Sequence, residues 1–462
     1  MNFYWLLTEL GTIVGAALAF VAIAHILRQR RSPSTTAAWL MAIVLVPIIG
    51  VPLYIMFGGR KLRRAADAKT NLDLLKASPH DNVPHHRLER VLLSYGIPAA
   101  THNNRLHLCR LGVEGYQAVM SMINGAQKTI HLETYIFGND AVAAAIRDAL
   151  ARRAREGVEV RLLIDGWGSF YTSRRFFKPL VDAGGKLAIF NPAIHIPFAR
   201  RTNLRNHRKI AVADGEVAIA GSANITAKYI HPETVPGAWE DLTFVVEGPA
   251  AWQFEKIFRA DWEYATGESL AIEHCPAFTY VQPDSAMLQV VPSGPDVHGD
   301  PLLDAILLAI YSAERRIWIV TPYFVPDDSL AQALIIACHR GVDVRITVPK
   351  RSNHFLADIA RGSFLRDIEN ARGTVLLYGD TMIHAKVLLI DNDVAIAGSA
   401  NLDMRSLFLN FEVMQFVYSS VEIEEFERWL MRLNEQCTTG MKKPNAVQEL
   451  VEGVVRLVAP ML

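Results

Sequence analysis

Residues 206–224 read Asn-His-Arg-Lys-Ile-Ala-Val-Ala-Asp-Gly-Glu-Val-Ala-Ile-Ala-Gly-Ser-Ala-Asn, and residues 383–401 repeat the pattern in phase. Six positions are shared at equal spacing: His207 and His384, Lys209 and Lys386, Asp214 and Asp391, Gly221 and Gly398, Ser222 and Ser399, Asn224 and Asn401. Residues 217–224 and 394–401 are identical. Two copies in register restrict the chain to folds in which one unit occurs twice, so each copy reads as half of a catalytic site.

On a strand, side chains at i and i+2 share a face. His207 and Lys209 therefore point together, as do His384 and Lys386. Asp214-Gly215 and Asp391-Asn392 then read as tight turns into a second strand that ends in Gly-Ser-Ala-Asn. Each half offers an imidazole, an ammonium, a hydroxyl and an amide at strand ends. Such a set holds a phosphodiester: cations and neutral donors meet its oxygens, while a histidine attacks or protonates.

The likeness of the halves extends past the motif. Residues 129–137 parallel 316–324, and 157–161 parallel 341–345, each β-branched run following a helical one (113–126, 302–313, 141–155 and 329–340). The alternation implies an α/β sandwich whose mixed sheet is covered on both faces. A pseudo-twofold axis between the copies would set two histidines on opposite sides of one phosphorus. The expected domains are N-terminal membrane segments at 1–58, a polar linker at 59–104, and two halves at 105–275 and 276–462.

Residues 10–27 and 32–59 contain no Asp, Glu, Lys or Arg. The first is long enough as a helix, at ~1.5 Å per residue, to cross a hydrocarbon core of ~30 Å with snorkelling ends. Arg28, Arg30 and Arg31 precede the second stretch, and Arg60, Lys61, Arg63 and Arg64 follow it. Either the second stretch, with Pro47, Gly50 and Pro52, is re-entrant, or the larger basic cluster sets the topology; both place the bulk of the chain in the cytoplasm. The linker reading at 59–104 includes a short helix near 88–93, and its histidines read as solvated. Lys plus Arg and Asp plus Glu balance at 47 each, which gives nucleic acid no polycation to bind. No Cys or His cluster has metal-ligand spacing, and neither metal nor cofactor is expected.

The pattern HxK, four residues, Asp, six residues, GSxN, complete in both copies, resembles the phospholipase D superfamily. From about Arg31 to the C-terminus the chain is most similar to the bacterial membrane-bound cardiolipin synthases. The resemblance implies a duplicated phospholipase D-like α/β sandwich with an N-terminal helical anchor, acting on phospholipids such as phosphatidylglycerol in the bacterial inner membrane. It also implies a phosphohistidine intermediate, with His207 as nucleophile and His384 as acid/base, although the residues alone fit the reverse equally. Lys209, Lys386, Ser222, Asn224, Ser399 and Asn401 would cradle the phosphate. An acid downstream of each motif would orient that motif's histidine: Asp241, chosen over the adjoining Glu240, in the first half and Glu412 in the second. Asp214 and Asp391 are counted with the catalytic set, and their turn positions give them a second reading as turn formers.

Glu133 and Tyr135, at a strand end, are expected near the site, with core packing an equal reading for Tyr135. Arg200, Arg201, Arg205 and Arg208, with Phe190, Ile194, Ile196, Pro197 and Phe198, read as a membrane-facing lip or a solvated loop. A nuclease would use the same motifs but lacks a reason for the anchor. A lipid-binding scaffold with a dead site would not need both motifs whole. The metal-dependent, cytidine-activated route to cardiolipin needs an Asp-Gly-x-x-Ala-Arg motif, which Asp165-Gly166-Trp167 does not continue.

Overall fold

The computed structural model describes the chain apart from residues 1–2, 29–32, 49, 52–53, 55–85, 193–203, 271–284, 380 and 459–462. Most of the expected lip, at 194–201, lies outside the described residues.

The first half contributes strands β1 (Thr101–Cys109), β2 (Thr129–Thr134), β3 (Glu159–Asp165), β4 (Lys186–Phe190), β5 (Ile210–Ala213), β6 (Val217–Gly221) and β7 (Thr243–Glu247). The second contributes β8 (Ala286–Ser293), β9 (Arg316–Val320), β10 (Phe324–Val325), β11 (Asp343–Pro349), β12 (Thr374–Tyr378), β13 (Val387–Ile390), β14 (Val394–Gly398), β15 (Leu402–Asp403), β16 (Glu412–Val417) and β17 (Cys437–Thr439). All but β10 and β15 join one mixed sheet in the order β17-β12-β11-β9-β13-β14-β16-β8-β1-β7-β6-β5-β2-β3-β4.

Read outward from the β1–β8 contact, the two arms match strand for strand, with β17 the one addition. The pseudo-twofold axis therefore passes between β1 and β8, which pair antiparallel, Thr101 opposite Leu288 and Asn104 opposite Ala286. The two sheets expected from the duplication are thus fused edge to edge. This fusion removes two exposed strand edges.

Helices cover both faces. Val387 and Leu389 face a core shared with helices Pro249–Thr266 and Ser420–Glu435, while Leu388 and Ile390 face one shared with helices Pro301–Ser312, Asp328–His339 and Phe355–Asn370. Burial on both faces is why the motif strands read as unbroken apolar runs.

The stretch read as a linker differs from expectation at its end. Helix Arg87–Ser94 buries Leu88 and Leu92 in the second half's core, and β1 begins at Thr101 in the middle of the sheet. Histidine 86, read as solvated, lies 3.1 Å from the Asp393 carboxylate. At the N-terminus, helices Phe3–Arg28 and Pro33–Leu45 pack through Ile26, Trp39 and Ile43. Among the described residues no helix is long and apolar enough to cross a membrane. The end of the second expected segment, 55–59, lies outside them.

Candidate active site

The two hairpins carry the motif. Asp214 and Gly215 turn β5 into β6 at φ of 54° and 71°, and Asp391 turns β13 into β14 at 50°, values that Asp and Gly tolerate better than other residues. The Asp214 carboxylate accepts from the amides of Gln127, Lys128 and Thr129 at 2.7–2.8 Å. Asp391 does the same for Glu314, Arg315 and Arg316 at 2.8–2.9 Å. Both lie at the far end of the strand from the histidines, so their place in the catalytic set is corrected: they brace the turns against the start of β2 and β9.

At the other strand end the halves interlock. The amide of His207 donates to Phe411 O at 2.9 Å, and that of His384 to Glu240 O at 2.7 Å. Each contact sets the next residue of the opposite half against the ring. Glu412 Oε1 lies 2.9 Å from His207 Nδ1, and Asp241 Oδ2 lies 2.9 Å from His384 Nδ1. The acids are therefore exchanged between halves, contrary to the expectation that each would serve its own motif. The physical reason is the backbone bridge, which brings the start of one half's β16 or β7 segment to the other half's HxK.

The glycines and serines of the motif support these carboxylates. A Cβ on Gly221 would stand 2.4 Å from Leu242 O, and one on Gly398 2.3 Å from Val413 O, so only glycine lets β6 and β14 approach the acid-bearing segments. The Ser222 hydroxyl donates to Asp241, and Ser399 Oγ donates to Glu412 Oε2 at 2.5 Å. The serines thus touch the orienting carboxylates, a correction to their expected phosphate contact: their only hydroxyl proton is already spent. Asn224 Oδ1 accepts from the Ile136 amide at 3.1 Å, and Asn401 Nδ2 donates to Ser406 Oγ at 3.2 Å.

An ionised carboxylate only accepts, so Nδ1 of each histidine carries the proton and Nε2 presents its lone pair. Burial outweighs the carboxylates and, with Lys209 and Lys386 adding to it, holds His207 down to about 4 and His384 down to about 3. Burial likewise lowers Lys209 to about 8 and Lys386 to about 7, against the pull of Glu412 and Asp241. Asp241 and Glu412 stay below their usual range because the histidines and lysines offset the cost of burial. Lys386 Nζ lies 3.1 Å from His384 Nε2.

Aromatic rings fix both imidazoles. Tyr135 meets His207 edge-on at 4.9 Å between centroids, and Lys209 Nζ lies 5.6 Å from the Tyr135 ring. Tyr229 meets His384 in the same way at 4.9 Å, with Trp239 at 5.8 Å. Tyr229 and Trp239 were not singled out from sequence; their only signal was position between the first motif and its acid. Glu133, expected near the site, is buried beneath it, accepting from Asn206 Nδ2 at 3.1 Å.

Arg208 departs most from expectation. Neither lip nor solvated loop, it is fully buried, bound to Asp261 through both oxygens at 2.9 Å and to Asp296 at 3.0 Å, with Glu412 O at 3.0 Å. It ties the helix of the first half to the segment after β8. Arg205 is also buried, donating to Asn191 O at 2.7 Å.

The family model described as "Cardiolipin synthase, PLD-like domain" matches residues 119–262 and 306–434, and "Phospholipase_D-nuclease N-terminal" matches 17–59. Cardiolipin synthase 1 of Bacillus cereus is 31% identical over 98% of this chain and 95% of its own. The major cardiolipin synthase of Bacillus subtilis is 33% identical over 90% of each chain. Among solved structures, a phosphatidylserine synthase of Haemophilus influenzae shares the fold, with a TM-score of 0.58 at 17% identity over 81% of this chain and 100% of that one. With two HxK motifs meeting across a pseudo-twofold axis and these full-length relatives, the chain belongs to the cardiolipin synthase family of phospholipase D-like phosphatidyltransferases.

Proposed function

We propose that this protein makes cardiolipin by moving a phosphatidyl group from one phosphatidylglycerol to another and releasing glycerol. The observation that carries the reading is the pair of histidines, each held at Nδ1 by a carboxylate of the other half, with Lys386 Nζ 3.1 Å from Nε2 of His384. His207 Nε2 attacks the donor phosphorus, and the P–O bond to glycerol breaks. His384 gives its proton to the departing glycerol oxygen. The same imidazole then takes the proton from a hydroxyl of the second phosphatidylglycerol, whose oxygen attacks phosphorus and releases His207. The ammonium groups of Lys209 and Lys386 meet the non-bridging oxygens.

Charge supports the assignment. Lys209 and Lys386 balance Asp241 and Glu412, so a bound phosphodiester makes the site net negative. That extra charge raises His384 from its depressed value and supplies the protonated acid the first step requires. The basic residues Arg60, Lys61, Arg63 and Arg64 support a catalytic domain on the cytoplasmic side of the bacterial inner membrane.

The test is to trap the intermediate. Phosphatidylglycerol labelled in its diacylglycerol phosphate, quenched in alkali, is expected to leave label on the peptide carrying His207 and none in His207→Ala. Label on the His384 peptide would reverse the two roles. No label on either peptide would reject the covalent route.

A further inference from the structure

The reacting histidines are buried, with His207 8% and His384 5% exposed, yet the substrates proposed above carry acyl chains that belong in a bilayer. The phosphate must be taken in while those chains stay outside, so whatever surrounds the mouth meets lipid. Two loops at pseudo-equivalent strand ends surround it.

The first, 166–173, follows β3. Trp167, Phe170 and Tyr171 are 61%, 52% and 90% exposed, with successive rings 6.3 and 5.6 Å apart. Its base is tied to the site. Asp165 accepts from the Trp167 amide at 2.8 Å and from that of Asn206, the neighbour of His207, at 3.0 Å. Ser169 Oγ donates to Tyr135 O at 3.0 Å, and Tyr135 is the ring against His207.

The second, residues 350–356, follows β11, the strand matched to β3, and runs into the first turn of helix Phe355–Asn370. Phe355 and Leu356 are 76% and 48% exposed. Tyr323 donates to Asn353 Oδ1 at 2.6 Å and its ring meets His354 at 5.2 Å, and Tyr323 in turn interacts with Tyr229, the ring against His384. Exposed cations flank both loops, Arg174 and Arg175 beside the first and Lys350 and Arg351 in the second.

We propose that these two loops form a rim that seats the mouth of the site on an anionic lipid surface. Solvated loops have no cause to carry three exposed aromatic rings on one side of a site and an exposed Phe-Leu pair on the other. Trp and Tyr favour the membrane–water interface because each has an apolar body and a polar edge, and flanking cations are drawn to anionic headgroups. Seating the mouth raises the local concentration of lipid and excludes water, so a lipid alcohol outcompetes hydrolysis. The proposal rests on the phospholipid reading of the site and adds where the bilayer touches the catalytic domain.

The test uses full-length protein reconstituted in vesicles and the triple variant Trp167→Ser, Tyr171→Ser, Phe355→Ser, none of which touches either histidine. Long-chain phosphatidylglycerol in the bilayer is compared with dihexanoyl-phosphatidylglycerol kept monomeric in solution. The variant is expected to lose about tenfold or more on the bilayer substrate and to stay within about twofold of the parent on the monomer, since only local concentration changes. Retained turnover of the monomer also shows that the variant is folded. Equal loss on both substrates would assign the loops to positioning the histidines and overturn the rim. No loss on either would return them to solvent and overturn it equally. If the unsubstituted protein turned over neither lipid, the phospholipid reading itself would fall, a result separate from both.

Discussion

Glu412 lies 205 residues beyond His207, yet its carboxylate holds Nδ1 of that ring at 2.9 Å. The same exchange joins Asp241 to His384 across 143 residues. Neither half therefore contains a complete acid–histidine pair, and the duplication works only as a closed dimer of halves. Glu412→Gln and Asp241→Asn are expected to lower turnover about 10–100-fold each, the usual cost of losing an orienting partner. Steady-state kinetics at constant pH checks this; unchanged turnover in either variant would remove that acid from its role.

In the proposed mechanism attack and protonation are steps of one event, so the histidines act as a unit. His207→Ala and His384→Ala should each abolish turnover, and the double variant should be no slower than the worse single one. Losses that multiply across the two positions would mean independent roles.

The pH dependence has a definite sign. Lys386 and Lys209 titrate at about 7 and about 8 rather than 10.5 because they are buried, so kcat/KM should fall on the alkaline side as their charge is lost. Stability should move the other way. Unfolded histidines bind protons below 6.5, whereas His207 and His384 in the folded chain do so only at about 4 and about 3. The unfolded state thus binds more protons as pH falls from 6.5, and stability drops in that window. The lysines act with the same sign between about 7 and 10.5, where stability should rise with pH. Denaturant midpoints across pH, compared with His207→Gln, test the histidine share; a midpoint that is flat from pH 6.5 to 4 would contradict it.

Arg208 holds two buried carboxylates, Asp261 and Asp296, together. Arg208→Met takes this cation away from between them, and breaking a buried pair in this way costs about 3–5 kcal/mol. Chemical denaturation should show that loss, whereas a change below about 1 kcal/mol would place the charge in solvent.

Much of this was legible in the chain itself. The hairpins followed from alternation and from Asp-Gly and Asp-Asn turns, and the two α/β halves from the repeated helix–strand order, but not the fusion of their sheets into one. The acid exchange was not legible, because spacing along the chain says nothing about which half's carboxylate crosses the axis. Serine 222 and Ser399 misled for a related reason: a hydroxyl suits a phosphate as well as a carboxylate, and only the fold shows that Asp241 and Glu412 are nearer. Arg208 read as one member of a basic run with Arg200, Arg201 and Arg205, since its partners Asp261 and Asp296 are 53 and 88 residues away. Residues 86–100 read as linker because one helix of eight residues gives too short a pattern to reveal Leu88 and Leu92 as core.

The most direct test of phosphatidyl transfer supplies phosphatidylglycerol as the sole lipid, with no nucleotide. In the proposed reaction one phosphodiester is exchanged for another through a covalent enzyme intermediate, so no CTP or ATP is required. Cardiolipin and free glycerol are the expected products, with added glycerol suppressing cardiolipin and regenerating phosphatidylglycerol. Phosphatidic acid as the only product, indifferent to glycerol, would contradict the transfer and make this protein a hydrolase.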